Sequence, residues 1–195
     1  MENLLIKFYD DPELIRDMMD YLTDFWIKIY AKACTVLKPD ILHIWEDMSG
    51  KNGPLISPAM IREFMVPNYK KFRAFADSAG CAGVMVDTDG NCDKLIPPFM
   101  EGGVNCIMPF EVAAGSDVNA IRKQYPDLCL MGGIDKRKLF NNREEIDREL
   151  ARIEPLLGHS GYIPMLDHNV SPEVSWDNFC YYMFRLKELV MKNGL

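Results

Sequence analysis

Apolar positions alternate between two rhythms along this 195-residue chain. Short, nearly continuous apolar runs of strand length are each followed by longer stretches in which apolar residues recur at helical spacing. The first helix is predicted over residues 11–36, with Pro12 suited to its first turn and "KPD" stopping it. "DILHIWEDM" follows as a strand that ends in charges. "SPAMIREFMVPNYKKFRAFADSAG" predicts a helix with Ser57 as N-cap, Pro58 at the first helical position and a break or kink at Pro67. Next come the strand "CAGVMVDTD", a short helix over 92–102 and the strand "VNCIMPFE". A helix around 116–125, the strand "LCLMGGID" and a helix over 143–157 continue the series, and the strand "GYIPMLD" with a helix from Ser175 to Lys192 ends it.

Five strand–helix pairs after one opening helix predict parallel β/α architecture. No linker or low-complexity segment divides them, so residues 1–195 read as one domain. An open doubly wound sheet competes with part of a (β/α)8 TIM barrel. The absence of G-x-G-x-x-G after the first strand weakens a dinucleotide-binding reading. The strands end C-terminally in Glu46–Asp47, Asp87–Asp89, Glu111, Asp135–Lys136–Arg137 and Asp167–His168. In a barrel all these ends converge on one mouth, whereas in an open sheet only those beside the switch point meet. The expected fold class is therefore α/β of the TIM-barrel type. A whole barrel takes roughly 250 residues and eight strands, so this one is expected to be incomplete, with about five βα units. The front of the barrel is missing and is expected to lie before Met1.

Composition acts mainly by exclusion. Hydrophobic residues make up 48% and charged residues 26%, as in ordinary globular proteins, and a net charge of −7 argues against nucleic acid or an anionic membrane as partner. No run approaches the roughly 18 apolar residues of a membrane span. "MENLLIKFYDDPELIRD" is too acidic for a signal peptide, and a cytoplasmic location is expected. Cys34, Cys81, Cys92, Cys106, Cys129 and Cys180 form no C-x-x-C pair and read as reduced, mostly buried thiols. The methionines and the aromatic last helix read as core or subunit contact. Apolar surface left bare by an incomplete barrel predicts a homodimer or a tendency to aggregate.

"VDTDGN" sets two carboxylates one residue apart at the mouth of a buried strand. A turn needs at most one Asp beside its Gly, so the second asks for a metal, a proton, a cationic ligand or a helix N-terminus. The plainer alternative is that Asp87 caps the next helix and Asp89–Gly90 makes the turn. Glu46 and Asp47 either orient substrate and act as a general base or form a solvated loop pair. Glu111 either supports the site or pairs with a neighbouring cation. In "GGIDKR" the glycines let backbone approach closely, and Asp135 then faces the mouth. Lys136 and Arg137 either neutralise it or grip an anion. His168, at a strand end before a Ser-Pro turn, has a stronger functional argument than His43 or His159.

The segments "EDMSGKNGPLISPAMIREFMVPNYKKF", "VDTDGN", "GGIDKRKL" and "GYIPMLDHNVSPEVSWDNF" resemble the later part of the uroporphyrinogen decarboxylase superfamily. That superfamily holds haem-pathway decarboxylases and corrinoid-dependent methyltransferases, both on (β/α)8 barrels, and the resemblance covers essentially the whole chain. Its methyltransferases end one strand in His-x-Cys-Gly and supply a later Cys, together holding zinc. Here those places read Asp87-Thr88-Asp89-Gly90 and His168. The resemblance thus implies a divalent metal, zinc first, on Asp87, Asp89 and His168, with an open position to polarise a bound group. Such a set holds a substrate thiolate less well than the family's zinc site. The decarboxylases carry a His in a Gly-His-Gly setting where His168 stands, and a Gly-Asn-Leu-Asp-Pro segment resembling "GGIDKR", with Asp135 at the matching place.

The expected catalytic residues are Asp87, Glu46, Asp135 and His168, with Asp47, Glu111, Lys136 and Arg137 contacting a small-molecule substrate. The arginine-rich segment with which the decarboxylases bind carboxylates would fall in the missing front. A polycarboxylate porphyrinogen would then meet a mouth rich in Asp and Glu against Lys136 and Arg137. This favours metal-assisted methyl transfer, with a corrinoid on a partner protein as methyl carrier. Decarboxylation in tetrapyrrole biosynthesis is one alternative, and a truncated non-catalytic remnant or binding subunit is the other.

Overall fold

The computed structural model describes residues 2–194. Two helices open the chain, α1 (Glu2–Asp10) and α2 (Pro12–Cys34). The first lies ahead of the predicted start. Asp11 separates the two and its carboxylate accepts the Leu14 N–H at 3.4 Å, while Pro12 fills the first turn of α2. The strand β1 (Ile41–Trp45) leads into a small antiparallel hairpin, β2 (Ser49–Gly50) and β3 (Gly53–Pro54), which the apolar pattern did not signal. Ser57 caps α3 (Pro58–Met60), its hydroxyl accepting the Met60 N–H at 3.2 Å. Of the break or kink expected at Pro67, the structure has a local irregularity rather than a break. The residues before it, Ile61–Met65, widen into a π turn, and α4 (Val66–Ala79) takes Pro67 into its first turn, where no N–H is required.

The remaining elements follow the predicted alternation: β4 (Gly83–Asp87), α5 (Ile96–Glu101), β5 (Cys106–Met108), α6 (Val118–Gln124), β6 (Cys129–Met131), α7 (Arg143–Leu157), β7 (Tyr162–Ile163) and α8 (Trp176–Lys192). No described helix is long and apolar enough to cross a membrane.

Five strands pair in parallel in the order β1-β4-β5-β6-β7. When strand order follows chain order, right-handed crossovers place every intervening helix on one face. Burial follows that rule. Leu42, Val84, Val86, Ile107, Leu130 and Tyr162 are at most 7% exposed and belong to one apolar cluster with helix residues such as Phe99 and Leu150. The ladder register sends Ile41, Trp45, Met85, Met108 and Ile163 to the opposite face. There Trp45 is 75% exposed and Ile163 47%. A doubly wound sheet would be covered on both faces. A sequence-ordered parallel sheet with helices on one face is part of a barrel wall. Five strands do not close an eight-stranded barrel, and the sheet stays open at β1 and β7.

Candidate functional site

The C-terminal ends of β1, β4 and β5 and the segment after β7 meet at a pocket of about 180 Å³, lined by Trp45, Asp87, Asp89, Met108, His168 and Asn169 among others. Larger cavities, of about 410 Å³ each, flank the open edge of β1 beside α2, but their walls are mainly aromatic and aliphatic and carry no acidic cluster. The chemistry points to the smaller one.

Asp87 closes β4 and faces the bare side of the sheet. Its Oδ2 lies 3.3 Å from Nε2 of His43 on the neighbouring β1. Burial lifts the Asp87 carboxyl above its ordinary pKa, against the pull of His43, and the charges of Asp89 and Asp47 add to the rise. The Thr88 N–H donates to the Met108 carbonyl at 3.0 Å, prolonging the ladder by one residue before the chain turns at Gly90. Gly90 has φ 76°, and a Cβ there would stand 2.4 Å from the Gly50 carbonyl carbon, so only glycine fits.

Glu111 reaches this turn from β5. Phe110, fully buried, holds φ 57°, a left-handed conformation rare outside glycine. It redirects the chain so that Glu111 Oε2 accepts the Gly90 N–H at 3.0 Å. His168 arrives on the segment after β7, where the Ile134–Leu166 bridge and the Asp167 N–H to Ile134 carbonyl bond (2.8 Å) carry the sheet to its mouth. His168 Nε2 lies 3.5 Å from Asp89 Oδ2. One ligand atom from each of Asp89, Glu111 and His168 falls within 4.8 Å of the other two. Tetrahedral zinc with bonds of about 2.1 Å sets its ligand atoms about 3.4 Å apart. The Asp89–His168 edge already meets that spacing, and Glu111 stands within 4.8 Å of both. Two carboxylates and one imidazole fit a divalent cation.

This set differs from the expected Asp87, Asp89 and His168. Alternate residues share a side only while the chain is extended. The Gly90 turn ends that regularity, so Asp89 joins Glu111 and His168 while Asp87 stays on the strand with His43. Asp87 still lines the same pocket. His43 carried no argument in sequence, although strand alternation puts it on the face of Trp45. Asp87 also caps no helix, because the turn Asp93–Leu95 that comes next has no side-chain cap.

The other expected residues are engaged elsewhere. Asp135 is 3% exposed and caps the 3₁₀ turn Lys136–Phe140. Its Oδ1 accepts the Arg137 backbone N–H at 3.0 Å, and the Arg137 guanidinium binds both oxygens at 2.8 Å. Burial works to raise the Asp135 pKa, but the Arg137 bonds and charge outweigh it and hold the carboxyl below its usual range. The Lys136 backbone N–H donates to Asp167 Oδ1 at 3.1 Å and the Val112 N–H to Asp167 Oδ2 at 2.9 Å, so buried Asp167 ties two loops together beside His168. Asp47 is exposed and its Oδ1 accepts the Asp89 N–H at 3.4 Å. Glu46 continues the alternation of β1 and turns away from the mouth, towards the helix layer. There burial lifts its carboxyl to about 7, while the nearby Thr88 hydroxyl and the Met48 N–H oppose the rise.

Comparison with known proteins agrees with this fold. The profile of the family described as Uroporphyrinogen decarboxylase (URO-D) matches residues 1–189. A uroporphyrinogen decarboxylase of Rhodococcus erythropolis is 26% identical over 176 residues, spanning 85% of this chain and 46% of its own length. One from Hydrogenobaculum sp. is 27% identical over 73 residues, 37% of this chain and 21% of its own. A methyltransferase from Methanosarcina mazei superposes with a TM-score of 0.67 at 19% identity, over 94% of this chain and 52% of that one. The last likeness shows the fold alone. The chain spans about half or less of the length of these relatives. The family profile nevertheless runs through every strand of the open barrel wall and every residue of the mouth, and by that match the chain belongs to the uroporphyrinogen decarboxylase family.

Proposed function

We propose that this chain carries the metal-holding part of a group-transfer site of the methyltransferase type. The convergence of Asp89, Glu111 and His168 at the strand ends is the observation that supports it. A divalent metal bound there, zinc first, would supply Lewis-acid polarisation of the methyl acceptor. An oxygen-rich donor set suits an oxygen or nitrogen acceptor better than a thiolate. The chain's own part is to orient: Gly90 N–H fixes Glu111, Asp167 anchors the loops beside His168, and Asp87 holds or releases a proton at the rim beside His43. A corrinoid on a partner protein is the methyl source this reading implies, and whatever completes the barrel supplies the opposite wall.

Decarboxylation of a tetrapyrrole is the second reading, favoured by the names of the curated relatives. Electrostatics weigh against it. Asp87, Asp89, Glu111 and His168 surround the pocket, and Arg137 is already committed to Asp135. A polyanion entering there would need more cations than Lys136 supplies.

Cobalt(II) titration with an optical readout tests the site. Asp89→Ala, Glu111→Ala and His168→Ala are each expected to weaken binding about tenfold or more, while Asp87→Asn stays within about threefold of wild type. Equal weak binding in all of these proteins would reject the metal site, and a selective loss in Asp87→Asn would restore the set inferred from sequence.

A further inference from the structure

Behind the mouth, on the helix side of β1 and β4, lies a buried polar cluster that the metal site does not use. Thr88 is 0% exposed, Tyr69 3% and Ser49 5%, and Cys92 beside them is fully enclosed. Glu46 enters this cluster. Its Oε2 accepts the Met48 N–H at 2.9 Å, whereas its Oε1 is buried without a partner. The Tyr69 hydroxyl is buried without a partner too, and Tyr69 lies close enough for the Glu46 charge to raise its pKa, after burial has done so first.

From Glu46 a series of short contacts runs to the candidate metal centre. Met48, held by Glu46, precedes Ser49, whose hydroxyl donates to the Asp89 carbonyl at 2.6 Å and lies 3.3 Å from Thr88 Oγ1. The next residue, Gly50, accepts the Asn91 N–H at 2.9 Å and sits directly against Gly90. Loops 46–50 and 88–91 are therefore fastened along their length. Asp89 is gripped through its backbone from the helix side while its carboxylate projects into the mouth.

We propose that Glu46 is the positioning residue of the Asp89 turn: by accepting the Met48 N–H it fixes the 46–50 loop, and that loop sets where the Asp89 carboxylate stands. The surroundings of Glu46 favour the protonated over the ionised carboxyl, burial first. Asp47 follows it in the chain and Asp87 closes the neighbouring strand β4 on the other side of the sheet, both adding negative charge; Tyr69 and Cys92, its titratable neighbours from α4 and the loop after β4, bring no positive charge. An ionised carboxylate there would be buried among like charges with one oxygen unbonded, which is costly. A protonated carboxyl keeps the Met48 bond without burying a charge.

The proposal rests on the metal reading only for its functional consequence, so two readouts are needed. Amide hydrogen exchange at Met48 and Asn91 reports the loops, and cobalt affinity reports the centre. Glu46→Gln, which mimics the neutral acid, is expected to keep exchange protection and cobalt affinity within about threefold of wild type. Glu46→Ala is expected to lose about tenfold or more in both, although Asp89, Glu111 and His168 are untouched. Ser49→Ala, which cuts the link to the Asp89 carbonyl, is expected to weaken both in the same direction. A purely structural role would lower global stability in Glu46→Ala and leave the cobalt affinity of the folded fraction unchanged, and that result overturns the proposal. Should Glu46→Ala fail to fold, unchanged exchange and affinity in Ser49→Ala overturn it instead. If cobalt binds to none of the proteins, the metal reading falls, and the exchange data alone decide whether Glu46 orders the turn.

Discussion

Replacing Glu46 by Gln should flatten the protein's stability profile between pH 5 and 8. The Glu46 carboxyl has an ordinary value of 4.5 and is lifted to about 7 by burial, with Asp47 and Asp87 adding to the rise. Its folded-state pKa therefore lies above its unfolded one. Below 4.5 both states carry the proton and the group's contribution is intact. As the pH rises towards 7 the unfolded chain ionises freely while the folded one resists, so stability falls, and above about 7 the loss is complete. Each pH unit across that window is worth about 1.4 kcal/mol, which makes the full loss about 3 kcal/mol. This is an upper bound, because the residue as a whole is only half-buried and the loop can relax. The amide of the Glu46→Gln variant cannot ionise. Urea unfolding at pH 5 should give similar stabilities for the two proteins, and at pH 8 Glu46→Gln should be the more stable by about 2–3 kcal/mol. Asp87, Asp93 and Asp167 are also raised by burial, but they are common to both proteins and cancel in the difference. Parallel stability curves across this range would show that Glu46 is solvated and refute the reasoning.

Gly90→Ala must force a side chain into a left-handed turn at 2.4 Å from the Gly50 carbonyl carbon. A loss of about 2 kcal/mol or more in urea unfolding is expected, and an unchanged midpoint would mean the two loops are not fastened as described. The bare sheet face, with Ile41 40% and Trp45 75% exposed, should drive self-association at low micromolar concentration. Light scattering should find Trp45→Glu shifted towards monomer, and a wild-type protein that is already a clean monomer would count against an unmet apolar face.

Much of the fold could be read from the sequence because its signals are local. Apolar runs marked the strands, and Ser57 and Ser175 marked helix starts that the structure places at those caps. The run "ILHIW" shows where such reading stops: it is apolar on both faces, so nothing in it says that Leu42 packs under helices while Trp45 meets solvent. The site divides in the same way. Acids at strand ends announced the mouth, but which of them meet depends on backbone turns at Gly90 and Phe110, and a left-handed phenylalanine has no sequence signature. One further distinction was available and is purely geometric. Glu46 N–H donates to the Asp87 carbonyl at 2.9 Å, so the ladder runs on past Trp45 and the side-chain alternation runs with it. Counting by twos from the buried Leu42 through Ile44 reaches Glu46, and counting from His43 reaches Trp45 at the pocket. The same count along β4 from Val84 and Val86 leads to buried Thr88, while Met85 leads to Asp87 at the rim. Two neighbouring strand-end acids thus belong to opposite sides of one sheet. Asp87 is left where a ligand can reach it, and Glu46 acts on the site only through the backbone it holds.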